Sequence, residues 1–102
     1  MKKSFFHNEA IIKRGNPINS FFIVLSGKGL VLNSNGNKTI REIEKNQVFG
    51  LIDTLKEKKW KNTVVSDKTS EILFISRHIL IKNLFSSKAI SDLSLNLLKM
   101  AN

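Results

Sequence analysis

Apolar residues in this chain come in short runs, separated by turn residues at close spacing, from Ala10 to about Ile75. That rhythm predicts short β-strands of a sandwich or barrel. Ala10-Ile11-Ile12-Lys13 predicts a first strand. Arg14-Gly15-Asn16-Pro17 predicts a turn, with Gly15 and Asn16 both tolerant of a positive φ. Phe21 to Ser26 (FFIVLS) is apolar almost throughout, as in a strand buried on both faces, and Gly27 is expected to break it. Leu30-Val31-Leu32 reads as the next strand. Asn35-Gly36 is the strongest hairpin signal in the chain, and Thr39 to Ile43 reads as the returning strand. Glu44 to Gln47 turns, with Asn46 as its left-handed residue. Thr63 to Ser66 and Glu71 to Ile75 predict a last pair of strands.

The period then changes from two to between three and four. Ser76 is placed to cap a helix over about 76–85 that carries Ile79, Leu80, Leu84 and Phe85. A second helix is expected over about 87–101, with Ile90, Leu93, Leu97 and Met100 or Ala101 on one stripe. Leu95 and Leu98 fall off that stripe and leave a second apolar face. Such a face suits self-association or docking to a protein partner.

Between strands and helices lies Val48 to Val65, VFGLIDTLKEKKWKNTVV. It reads as a strand, a glycine turn at Phe49-Gly50, a short helix, lysines around Trp60, and a strand. Backbone N–H groups of Gly50, Leu51 and Ile52, beside a glycine that permits close approach, are candidate donors to an anion.

Composition adjusts this picture in few places. The 102 residues suit one small domain. There is no cysteine, as in a reducing compartment. The opening MKKSFF is similar to a secretory n-region, but His7, Asn8 and Glu9 interrupt any apolar core for a leader. No apolar run approaches the roughly 20 residues of a membrane span. A cytoplasmic protein without a membrane partner is expected. The net charge is +9, but lysines outnumber arginines 14 to 3 and 11 asparagines accompany them. Specific phosphate and base contacts favour arginine. Charge-driven nucleic-acid binding therefore ranks last among the functions considered.

In order along the chain, Glu9-Ala10-Ile11-Ile12-Lys13-Arg14-Gly15-Asn16, Asn19 to Lys28 (NSFFIVLSGK), Val48-Phe49-Gly50, Thr63-Val64-Val65 and Ile72 to Ser76 form a pattern. It resembles the cyclic nucleotide-binding domain family over about residues 5–101. The resemblance implies a mainly β fold: a double-stranded β-helix, or jelly-roll-like β-roll, over about 9–75, with a short cassette helix and two C-terminal α-helices. In that family the cassette is similar to Phe-Gly-Glu, several residues, then Arg-Ala-Ala-Thr, with the Glu on the ribose and the Arg on the cyclic phosphate. Here Leu51 stands at the Glu position and Trp60 at the Arg position, followed by Lys61, Asn62 and Thr63. Asn46 stands where the family carries a turn glycine.

Losing one partner of a desolvated charge pair costs about 2–5 kcal/mol. That is roughly 30- to 4000-fold in affinity, at 1.4 kcal/mol per tenfold. The expectation is a stand-alone regulatory or protein-interaction domain that does not bind cyclic AMP or cyclic GMP in the usual way, with no cofactor. The alternative is a sensor that holds a nucleotide or other anion through cassette amides and a displaced Lys59 or Lys61, brought inward by a bulge. Trp60 either stacks on a base or fills the space its replaced arginine would leave. Asp53 suits the first turn of the cassette helix. His7 and His78 are too few for a metal set. With no nucleophile–base pattern and no clustered carboxylates, an enzyme is not expected.

Overall fold

The computed structural model describes residues 1–86. Two 13-residue strands form its spine: β3 (Ser20–Leu32) and β6 (Val64–Ser76). They pair antiparallel along their whole length, from Ser20 opposite Ser76 to Val31 opposite Val64. Shorter strands line both edges. β1 (Lys2–Phe5) and β2 (Ala10–Ile12) pair with β6. β4 (Thr39–Ile43) and β5 (Val48–Phe49) pair with β3. The first helix, α1 (Leu51–Lys56), follows β5, and α2 (Arg77–Ser86) follows β6.

This is the mainly β roll expected from the sequence, with several corrections. Lys2–Phe5 forms a strand where none was expected, pairing with Ser70 to Leu73. Gly27 does not end its strand, and Thr63–Ser66 and Glu71–Ile75 are not separate strands. Both features mark one bend. Between the pairs Ser26–Glu71 and Lys28–Asp67, only Gly27 lies on β3 but three residues lie on β6. Lys68 takes φ 65° to make that bulge and Gly27 takes φ 82° opposite it. The Ser70 hydroxyl is buried in the bend. It accepts a hydrogen bond from the Lys28 N–H at 3.1 Å and lies 2.8 Å from the buried Ser66 hydroxyl. A bulge deepens the twist without ending the ladder, so each long strand serves two arms of the roll.

The turns follow their residues closely. Asn46 is left-handed at φ 69° and Gly15 at φ 88°, whereas Asn16 is not in the left-handed region. The Asn35-Gly36 hairpin forms with a six-residue loop, Asn33 to Lys38, closed by Asn33 N–H donating to Lys38 O at 2.8 Å. Across β3 and β4, Lys28 Nζ sits 2.8 Å from Glu42 Oε1 and 3.5 Å from Glu44 Oε1. The hydrogen bond to Glu42 and the two carboxylate charges hold the Lys28 ammonium above the ordinary lysine range.

Alternation along β3 divides the core in two. Phe22 and Val24 point into the roll with Ile12, Val31, Ile43, Val64 and Ile72. Phe21 points the other way, to a second cluster with Val48, Leu51 and Leu80. The FFIVLS strand is thus buried on both faces at Phe21 and Phe22, as its composition predicts. Ser76 accepts from the Ile79 N–H at 3.2 Å, as a cap for α2. Leu80 is buried, but Ile79 is 50% exposed, so the α2 stripe is narrower than expected. The helix expected over 87–101, with Leu95 and Leu98, lies outside the described residues. No helix among the described residues is long and apolar enough to cross a membrane.

The bend can be tested with two glycines. A Cβ on Gly27 would collide with Ser70, 2.8 Å from its Cα, while one on Gly15 meets nothing within 4 Å. Both positions have positive φ, which costs a side chain about 1 kcal/mol. Gly27→Ala should therefore cost at least about 1 kcal/mol more than Gly15→Ala, a further fall of roughly 4–8 °C in melting temperature. Equal losses in the two variants would show that Ser70 does not fill the bend.

Candidate functional site

β5 delivers Phe49 to the mouth of the roll and ends at Gly50. Gly50 is the N-cap of α1 at φ 85°, ψ 10°, a conformation that favours glycine. Its carbonyl accepts from Thr54 N–H at 2.8 Å and from Thr54 Oγ1 at 2.6 Å, which satisfies the buried hydroxyl. Asp53 lies in the first turn of α1 and makes no capping bond. Leu51 is buried in the second cluster beside Phe21, Val48 and Leu80. Ile52 is half-buried. The position at which the resemblance places a ribose-binding carboxylate thus joins the packing between the sheet and the helices.

After α1 the chain runs as an extended strip against the Gly15–Ile18 turn. Ile18 N–H donates to Lys58 O at 3.0 Å, Trp60 N–H to Asn16 O at 3.0 Å, and Gly15 N–H to Trp60 O at 2.9 Å. Pro17 faces Lys59 across an antiparallel bridge. This ladder fixes the direction of each side chain on the strip. Trp60 turns inward, 6% exposed, and joins the interior cluster. Its ring stacks on Phe49 with centroids 6.1 Å apart and planes at 26°. The Arg41 guanidinium lies 5.6 Å from the Phe49 ring centroid. The indole also lies against Gly50 so closely that a Cβ there would meet Trp60 Cη2 and Cζ3. The Trp60 indole is thus packed into the interior.

The remaining cassette residues are drawn into the architecture or left at the surface. Asn62 Nδ2 donates to Leu32 O at 2.8 Å. Thr63 Oγ1 accepts from Arg14 N–H at 3.1 Å. Lys59 and Lys61 are exposed, and Lys61 Nζ lies 3.1 Å from Glu57 Oε1. No bulge carries either lysine to the interior position that Trp60 occupies. Outside the strip is an open depression of about 720 Å³, lined by Lys56 to Lys61 with Arg14 and Gly15. Arg14, Lys56 and Lys58 were not expected at a site. Their only signal in the sequence was proximity to the Gly15 turn and to Trp60. Among the described residues, no group of three or more His, Cys, Asp or Glu gathers as for a metal ion.

The family model described as "Cyclic nucleotide-binding domain" matches residues 2–87. No curated protein matches. Among solved structures, a putative cyclic nucleotide-binding protein from Geobacter metallireducens is similar at 18% identity and a TM-score of 0.81, over 99% of this chain and 74% of that one. The sensor domain of the transcriptional regulator DNR from Pseudomonas aeruginosa is similar at 14% identity and a TM-score of 0.82, over 93% and 68%. The catabolite activator protein of Thermus thermophilus is similar at 19% identity and a TM-score of 0.79; 96% of this chain spans 47% of that one. At these identities the likeness speaks for the fold alone. The family match extends over most of the chain and includes the bent spine, the cassette turn at Gly50 and α2, so the chain belongs to the cyclic nucleotide-binding domain family.

Proposed function

We propose that this chain is a regulatory or protein-interaction domain that does not take up cyclic AMP or cyclic GMP in the family's usual way. The observation that carries this reading is the Trp60 indole. It sits inside the roll against Gly50 and Phe49, where the family resemblance puts the arginine that pairs with the cyclic phosphate. A nucleotide entering there must first displace it. Stripping a buried tryptophan from a core costs about 3–5 kcal/mol, or roughly 100-fold or more in affinity. The missing arginine adds a further cost of about 2–5 kcal/mol. The second reading, an anion held by cassette amides with Lys59 or Lys61, has less support. Both lysines stay at the surface, and Lys61 is occupied by Glu57.

A regulatory role draws on the second cluster. Leu51 of α1 and Leu80 of α2 are buried together with Phe21 and Val48. The cassette helix and α2 therefore pack into one cluster through the sheet, which supports a coupling between them. The relatives named above include regulator domains, which fits a role in regulation rather than catalysis. A homodimer or protein partner engaged through the helix expected over about 87–101, with Leu95 and Leu98, completes the proposal.

Three measurements check this reading. A ligand at 100 times its dissociation constant adds about 2.7 kcal/mol of stability, which for a domain this size raises the melting point by roughly 10 °C. Millimolar cyclic AMP or cyclic GMP should leave the melting point unmoved; a shift of that size with either would overturn the reading. The Trp60–Gly50 contact is tested by a double-mutant cycle. Gly50→Ala should be costly in the native chain and less so, by about 1 kcal/mol or more, beside Trp60→Ala. Additive losses would mean that the indole does not press on Gly50. Sedimentation of the native chain against Leu98→Glu should show an associating species that the charge disperses. A monomer in both removes the helix-mediated partner.

A further inference from the structure

The inside of the cassette has lost its cationic anchor, but the outside has a collection of cations. Arg14, Lys56, Lys58, Lys59 and Lys61 surround the open depression of about 720 Å³, with Glu57 as its only carboxylate. All five cations are exposed. Glu57 pairs with Lys61 at 3.1 Å, and among the described residues no carboxylate pairs with Arg14, Lys56, Lys58 or Lys59. Four unpaired cations and one bridged pair therefore converge on one concavity.

These cations sit on ordered backbone. The ladder between Lys58–Trp60 and Gly15–Ile18 fixes the strip, and the inward turn of Trp60 holds Lys59 and Lys61 on the outer side. One terminal nitrogen of the Arg14 guanidinium, Nη1, donates to Ser34 O at 2.8 Å. Its remaining N–H donors are available to a ligand in a planar fork that suits phosphate oxygens. Pre-positioned charge loses less conformational entropy on binding than a mobile tail would.

We propose that this outer face of the cassette binds an oligophosphate, either inorganic or as the tail of a nucleotide. It is separate from the interior position at which the family holds a cyclic nucleotide, and it goes beyond the function proposed above. The depression falls within the size range of small-ligand sites, about 300–1,000 Å³. A compact ligand with several charges could engage several lysines at once, whereas a single phosphate would leave most of them unmatched. Single-stranded nucleic acid is disfavoured because base stacking needs an exposed aromatic platform, and Trp60 is only 6% exposed. The recognition is thus of phosphate charge.

The test uses tripolyphosphate and the emission of Trp60, the only tryptophan in a chain without tyrosine. Trp60 lines the depression, so binding should change its emission in a saturable way. The apparent affinity should fall about tenfold or more between about 50 and about 300 mM salt, as exposed charges are screened. Lys58→Glu with Lys59→Glu should weaken binding by about tenfold or more. A control with the same change in net charge, Lys45→Glu with Lys82→Glu, should leave it within about twofold, because neither residue lines the depression. Lys58→Gln with Lys59→Gln provides a milder pair, and the melting point of every variant confirms folding. ATP binding as tightly as tripolyphosphate would indicate that the phosphates alone are read. Tighter ATP binding, dependent on the same lysines, would identify a nucleotide as the source. No saturable change at low salt overturns the proposal. So do equal losses in the two charge-reversed variants, or an acidic peptide that binds more tightly than tripolyphosphate.

Discussion

The contact between the Trp60 indole and the face of Gly50 constrains everything around the cassette. Gly50 must be left-handed for β5 to turn into α1, and the turn exposes a backbone face with no Cβ. In a roll that holds an anion, such a face is where a ligand approaches closely. Here the Trp60 indole lies against that face, stacked on Phe49 and continuous with the interior cluster. Fully burying a large apolar side chain contributes about 1.5–3 kcal/mol, so the closed state of the mouth is stabilised by the same burial that completes the core. An arginine at this point would need a buried anion to be stable; a tryptophan needs none.

The rest of the roll supports that contact through the bend at Gly27. The inward residues of β3 lie on both sides of it, Phe22 and Val24 before and Val31 after. Without a bend, two 13-residue strands would run on as one twisted ribbon and would not fold back to enclose one interior. Three residues of β6 opposite a single glycine of β3 provide the curvature, and the Ser66 and Ser70 hydroxyls satisfy the polar groups this exposes. No buried side-chain nitrogen or oxygen among the described residues lacks a partner. The irregularity therefore leaves no buried side-chain polar atom without a partner.

Much of this was legible in the residues, for reasons that differ by element. Phe21 to Ser26 could be read as a two-faced buried strand because alternation and continuous apolarity act within a few positions. Asn46 and Gly15 revealed their turns because left-handed backbone selects a short list of residues. Leu51 and Trp60 stood out because they break a pattern whose chemistry requires polar groups. Gly27 misled because a glycine in a strand marks either an end or a bulge, and only the pairing of Ser26 and Lys28 across β6 distinguishes them. Lys2–Phe5 was missed because its residues are mostly exposed and carry no clean alternation. That strand exists because the edge of β6 is available to pair, a fact held 70 residues away.

The strip from Lys58 to Lys61 shows why charge and function cannot be read from composition alone. As a sequence it is a lysine-rich run with one aromatic, which by composition alone reads as a solvated surface in a lysine-rich protein. The ladder to Gly15–Ile18 gives the run a direction, with the apolar residue in and the cations out. That direction has two consequences at once. It removes Lys59 and Lys61 from the interior position they would need to replace the arginine. It also gathers them with Arg14, Lys56 and Lys58 around a concave outer face. The two proposals, no cyclic nucleotide inside and a multiply charged anion outside, therefore stand on the same three hydrogen bonds.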